Sequence, residues 1–130
     1  MPTLLTTITA SGTSFWVLDR DDKRVYRYLL DGTSQGSFDL TTPSDHLEGI
    51  TTDGTSLWVL DKNDGIFRYD LSGTFLNDSF ALNDSNSHAE GISTDGNDLW
   101  VVDKDNLEAF RYDSKGTLLA AFSVAPTTHP

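Results

Sequence analysis

The feature that most constrains this chain is that it repeats itself. Trp16, Trp58 and Trp100 recur at a constant spacing of 42 residues. Their surroundings recur with them: Phe15-Trp16-Val17-Leu18-Asp19, Leu57-Trp58-Val59-Leu60-Asp61 and Leu99-Trp100-Val101-Val102-Asp103, followed by Arg20, Lys62 and Lys104 respectively. A second anchor follows in register, Tyr26-Arg27-Tyr28, Phe67-Arg68-Tyr69 and Phe110-Arg111-Tyr112, and then a third, Gly32-Thr33, Gly73-Thr74 and Gly116-Thr117. Self-similarity at a period of this size marks an array of like supersecondary units, none of which can bury its apolar surface alone. The units occupy about 4–45, 46–87 and 88–130 of the 130 residues.

Each unit reads as four strands. In the middle one these are strand A at Gly49 to Thr52, B at Leu57 to Leu60, C at Ile66 to Tyr69 and D near Leu76 to Leu82, with Gly54, Asp64-Gly65 and Gly73 at the turns. Glycine at such turns supplies the positive φ that tight hairpins require. Aromatic and β-branched residues are spread evenly between Gly, Ser, Thr, Asn and Asp, and no apolar stripe of helical period interrupts them. Strand B decides the architecture. Leu57 and Val59 point to one face while Trp58 and Leu60 point to the other, so both faces have to be covered. A four-stranded blade sandwiched between neighbours meets that demand, and the fold class expected is all-β, a β-propeller with three four-stranded blades per chain.

The strand A to strand B unit, Glu48-Gly49-Ile50-Thr51-Thr52-Asp53-Gly54 followed by Leu57-Trp58-Val59-Leu60-Asp61, resembles the repeats of NHL-like and related six-bladed-type β-propellers, including large bacterial proteins with many blades. The likeness extends over all three repeats. It implies the propeller fold and a habit of binding or scaffolding, and is a motif of fold rather than of chemistry.

Charge and composition exclude some partners. Nine Lys+Arg against twenty Asp+Glu give a formal net charge of −11, which repels phosphate backbones, so nucleic acid is not an expected partner. No stretch is long and apolar enough for a membrane span, and the start of the chain lacks the pattern of a signal peptide, so a soluble chain without a membrane partner is expected. The chain has no Cys, hence no thiolate nucleophile and no disulfide framework.

Several motifs invite a chemical reading. Asp61-Lys62-Asn63-Asp64-Gly65 resembles the start of a calcium loop, but the EF-hand pattern wants Gly at its sixth position and Glu at its twelfth, where this chain has Ile66 and Ser72; a B to C hairpin turn is the expectation. Trp16, Trp58 and Trp100 could stack on a sugar or a base, but their aliphatic neighbours in a two-faced strand assign them to the blade core. The Arg repeated on strand C is expected to pair with a carboxylate or stack on a ring. The Asp that ends strand B is expected to make a turn-side ion pair or bond to backbone.

His46-Leu47-Glu48 and His88-Ala89-Glu90 repeat a His-x-Glu at the start of strand A. Residues i and i+2 share a face of a strand, so His46, Glu48, His88 and Glu90 are the candidate channel or metal ring, with Ca²⁺ the ion that carboxylates would prefer. The first unit has Leu4 and Thr6 instead, and the third ends at His129-Pro130. Glutamate here resembles metal-binding positions of propeller hydrolases and phytase-like enzymes, so a calcium-dependent hydrolase of lactonase or phytase-like type is the catalytic alternative. No catalytic constellation stands apart from the repeat itself, so a non-catalytic scaffold or binding module is the first expectation. Three blades leave two outer faces bare, and closure into a ring by copies of the same chain is expected, as a six-bladed homodimer or a nine-bladed homotrimer.

Overall fold

The computed structural model describes residues 5–40, 46–105 and 107–124. Every element in them is a β-strand. The first blade holds β1 (Leu5–Ser11), β2 (Ser14–Asp19), β3 (Arg24–Leu29) and β4 (Ser34–Asp39), the second β5 (Leu47–Thr52), β6 (Ser56–Asp61) and β7 (Gly65–Asp70), and the third β8 (Ala89–Thr94), β9 (Leu99–Asp103), β10 (Glu108–Tyr112) and β11 (Leu118–Ser123). Each blade is an antiparallel meander in chain order. The all-β propeller architecture expected from the repeat is what forms.

One element departs from the expectation. The D strand of the second blade, near Leu76 to Leu82, is not a continuous strand: two isolated antiparallel bridges, Tyr69↔Phe75 and Ile66↔Phe80, stand in its place. Between them Asn77 adopts φ 62°, and of the ladder only the bond from Leu76 N–H to the Arg68 carbonyl, 3.0 Å, is kept there among the described residues. The other two blades show a milder form of the same irregularity, with register shifts at Tyr26/Tyr28 and at Arg111/Tyr112. Local turn-forming residues here compete with the ladder and win in one blade of three.

The strand B expectation holds where a blade has two neighbours. All six residues of β6 are buried. Leu57 and Val59 join the cluster between the first two blades, with Trp16, Leu18, Val25 and Ile50. Trp58 and Leu60 join the cluster between the second and third, with Ile66, Leu99, Val101 and Phe110. The cores thus lie between the sheets.

The aspartate ending strand B is buried in every blade, with Asp19, Asp61 and Asp103 all at 0% exposure. One oxygen of Asp61 accepts hydrogen bonds from the backbone N–H groups of Asn63 and Asp64, each at 2.7 Å. The other accepts the N–H of His46 at 3.0 Å. Asp103 repeats this with Asp105 at 3.0 Å and His88 at 2.9 Å, and Asp19 holds Asp22 N–H at 3.0 Å. Of the two roles expected for this residue, the bond to backbone is made in all three blades. A carboxylate surrounded by N–H donors satisfies groups that the sheet leaves over, and it clamps the B to C turn to the start of strand A.

The indoles of Trp16 and Trp58 are 1% and 4% exposed. Arg27, Arg68 and Arg111 lie over the rings of Trp16, Trp58 and Trp100, at 5.3, 5.4 and 5.3 Å from the centroids. Arg68 also pairs with Asp78 at 2.8 Å, and Arg111 Nε donates to Asp98 at 2.7 Å, so these two both stack and pair with a carboxylate, while Arg27 stacks and donates its Nε–H to Ser14 Oγ at 3.2 Å. Removing Trp58 empties the middle of the second core, and Trp58→Ala is expected to cost about 3–5 kcal/mol. Urea unfolding checks this; an unchanged midpoint would mean that the ring is not packed as described.

Candidate functional site

Two regions carry the chemistry and the unpaired surface: the rim where the A strands begin, and the outer faces of the first and third blades.

At the rim, strand A carries a β-bulge in every blade. Register shifts fall between Leu5 and Thr7, between Leu47 and Gly49, and between Ala89 and Gly91, which makes Thr6, Glu48 and Glu90 the extra residues. A bulge re-aims the side chain it carries, so the i, i+2 alternation that would put His and Glu on one face does not hold here. The His46 ring turns to Asn63 of its own B to C turn, 3.0 Å from Nδ1. The His88 ring lies against Asp105 at 3.2 Å and Ser87 at 3.1 Å. Glu48 and Glu90, by contrast, lie close enough across the blade boundary to act on one another. Leu4 and His129-Pro130, and the side chain of Thr6, fall outside the described residues.

The carboxyl pair has its own counter-charges. Lys104 Nζ is 3.1 Å from Glu90, and Arg20 and Lys62 act on Glu48 from the first and second blades. Burial, together with the hydrogen bond and the charge of Glu90, pushes the Glu48 carboxyl above the ordinary glutamate value. Burial pushes Glu90 the same way, but the hydrogen bond from Glu48 and the Lys104 ammonium outweigh it and hold Glu90 below that value. The two carboxyl groups of the pair are thus shifted in opposite directions. Among the described residues no three His, Asp or Glu side chains gather to hold a metal ion. The three basic residues that follow the buried aspartates were legible as a repeat; their pairing with the bulged glutamates was not.

The outer faces are the second region. The third blade presents Trp100, Val102, Ala109 and Phe122 at the positions where the second buries or half-buries Trp58, Leu60, Ile66 and Phe80. Leu60 is 0% exposed and Val102 41%. Trp100 is accordingly only half-buried and borders a shallow, largely apolar concavity of about 300 Å³ with Gly91, Ile92, Val101 and Val102. The first blade presents Ile8, Phe15, Val17, Tyr26 and Tyr28 where the second buries Ile50, Leu57, Val59, Phe67 and Tyr69 against its neighbour. Six of the eight large hydrophobic residues exposed among the described ones, Ile8, Leu30, Val102, Leu118, Phe122 and Val124, sit at positions that the second blade packs into or against a core cluster. The two bare faces are the two halves of the contact that the chain makes twice inside itself.

No family model and no curated protein matches the sequence. Solved structures do match in fold. Virginiamycin B lyase from Staphylococcus aureus aligns with a TM-score of 0.66 and 22% identity, over 97% of this chain and 42% of that one. U3-55K aligns with a TM-score of 0.70 and 14% identity, over 92% and 39%. The WD40 repeats of RRP9 align with a TM-score of 0.66 and 13% identity, over 92% and 38%. The chain thus spans about two-fifths of the length of these structures. At such identities the likeness is one of fold, and it agrees with the repeat, the meanders and the stacked cores: the chain is a β-propeller segment of three blades.

Proposed function

We propose that this chain is a non-catalytic β-propeller scaffold or binding module that completes its ring with further copies of itself, joined head to tail. The observation that carries the reading is the equivalence of the bare faces to the buried ones. A contact that recurs between blades one and two and between blades two and three is defined by a single rotation, and the same rotation applied to the third blade lays the first blade of another copy on it. Soluble monomeric proteins rarely expose large contiguous apolar faces. Three blades amount to 42% of the length of the lyase chain, so a ring of that chain length holds about seven such blades; six, a homodimer, is the nearest multiple of three, and nine, a homotrimer, is further away. A calcium-dependent hydrolase would need unlike ligands converging at one place, whereas the rim here supplies lysine and arginine to its own carboxylates.

Light scattering at micromolar concentration is expected to give twice the chain mass of 14.3 kDa. Three times that mass would select the nine-bladed ring, and a single-chain mass would sink the self-assembly reading.

The rim gives a second expectation, in pH. Because Glu48 is raised in the folded state, the native protein holds a proton that the unfolded chain has released, and stability falls as pH rises through that interval. Glu90 is lowered, so its contribution has the opposite sign and is lost as pH falls. Glu48→Gln keeps a hydrogen-bond donor facing Glu90 and removes the titration. It is expected to raise the melting temperature at about pH 7.5, with the gain vanishing towards about pH 3.5, while Glu90→Gln lowers it at neutral pH. Equal responses of the two variants in scanning calorimetry would show that the carboxyl groups are not shifted in opposite directions. A rise of melting temperature with added CaCl₂ in the native protein, absent from a Glu48→Gln/Glu90→Gln double variant, would restore the calcium ring.

A further inference from the structure

The head-to-tail reading does not by itself say what fixes the junction. We infer that it is keyed by two reciprocal knob-and-notch contacts between copies: Phe122 of one copy over Gly32 of the next, and Ile8 of the next copy against Gly91 of the first. This inference rests on the self-assembly reading and goes further, to the residues that give the partner its place.

Both contacts have cis precedents. Phe38, on the last strand of the first blade, lies so close over Gly73 in the C to D turn of the second that a Cβ there would have no room. Phe80 lies in the same way over Gly116 of the third blade. The series 38, 80, 122 continues to Phe122, which is 46% exposed. The series of turns 116, 73, 32 continues back to Gly32, at φ 90° with nothing within 4 Å of a Cβ placed on it. One knob and one notch are therefore left over, on opposite ends of the chain.

The second contact runs the other way. Ile92 on strand A of the third blade packs on Gly49 of the second, where a Cβ would come within 3.0 Å of its Cγ2. Ile50 is 3% exposed in the cluster against the first blade. Ile8 is the member of this series with no blade to pack on, at 60% exposure. Gly91 is the corresponding glycine, and it borders the apolar concavity of the third blade. Each bare face thus holds one knob and one notch, and the two pairs are complementary only when the third blade of one copy meets the first blade of another.

The test blocks one face at a time. Gly32→Asn keeps a residue that tolerates positive φ, and its Cβ has no described atom within 4 Å, but it fills the notch. Phe122→Arg removes the knob from an exposed position. Each variant is expected to raise the dissociation constant at least tenfold and to run as a single chain at a concentration where the wild type is assembled, with an unaltered far-UV spectrum. Gly96→Asn, at a turn of similar φ (99°) and outside both knob-and-notch pairs, is expected to assemble as the wild type does. Mixing Gly32→Asn with Phe122→Arg leaves one intact junction between the unlike copies and is expected to recover a two-chain species that neither forms alone. Variants that assemble normally, or a mixture that stays monomeric, would overturn the keyed junction while leaving self-assembly standing. A monomeric wild type overturns both.

Discussion

A strand with apolar side chains on both faces has to be covered twice, and the rest of this molecule follows from that demand. In β6 the demand is met in full: Leu57 and Val59 face the first blade, Trp58 and Leu60 the third, and no residue of the strand is exposed. A hairpin or single sheet cannot do this, and helices to cover the second face are absent from the described residues. Stacking like sheets supplies both covers, and each new sheet brings the same demand with it. The array has no natural stop, because its outermost blades repeat the requirement they were added to meet.

Polar accounting is solved once and repeated. The end of strand B is where the sheet runs out while its backbone is still buried. Burying a carboxylate there is costly unless every oxygen is occupied. The N–H groups of the B to C turn and of the residue opening strand A occupy those of Asp61 and Asp103. The same clamp holds His46 and His88 by their backbones, whose carbonyls also receive the N–H of Lys62 and Lys104 at 3.0 and 3.1 Å. The histidines of the repeated motif are thus positioned by their main chain, and their rings are free to serve the turns.

How much of this could be read beforehand depends on whether a feature obeys the strand period. Strand B, the tryptophans, the turn glycines and the stacked arginines all do, and all are where the repeat places them. The partners of Glu48 and Glu90 were not legible because each glutamate is the extra residue of a bulge, and a bulge cancels the alternation from which facing is deduced. Strand D of the second blade was misread for a related reason: apolar Leu76, Phe80 and Leu82 suggest a strand, while the left-handed Asn77 between them breaks it. The half-exposure of Trp100 is of another kind. Its local sequence is that of a core residue, and only the number of blades in the chain decides what covers it.

Closure of the proposed ring is favoured by an asymmetry between inner and outer junctions. Inside the chain, a blade meets its neighbour at the high effective concentration that a short connection enforces. Between copies, the same contact has to overcome the loss of translational and rotational freedom, about 4–15 kcal/mol, against about 1.5–3 kcal/mol for each large side chain that passes from exposed to fully buried. Ile8, Val102 and Phe122 are 60%, 41% and 46% exposed, so one outer junction draws on only part of that gain. A single junction between two copies bears the whole entropic cost and leaves one apolar face open at each end. Closing the ring makes a second junction without a second loss of freedom, so rings should outnumber open dimers wherever both junctions can form. In the closed state the internal repeat then has no first or last blade, and every strand B obtains the two covers that its sequence requires.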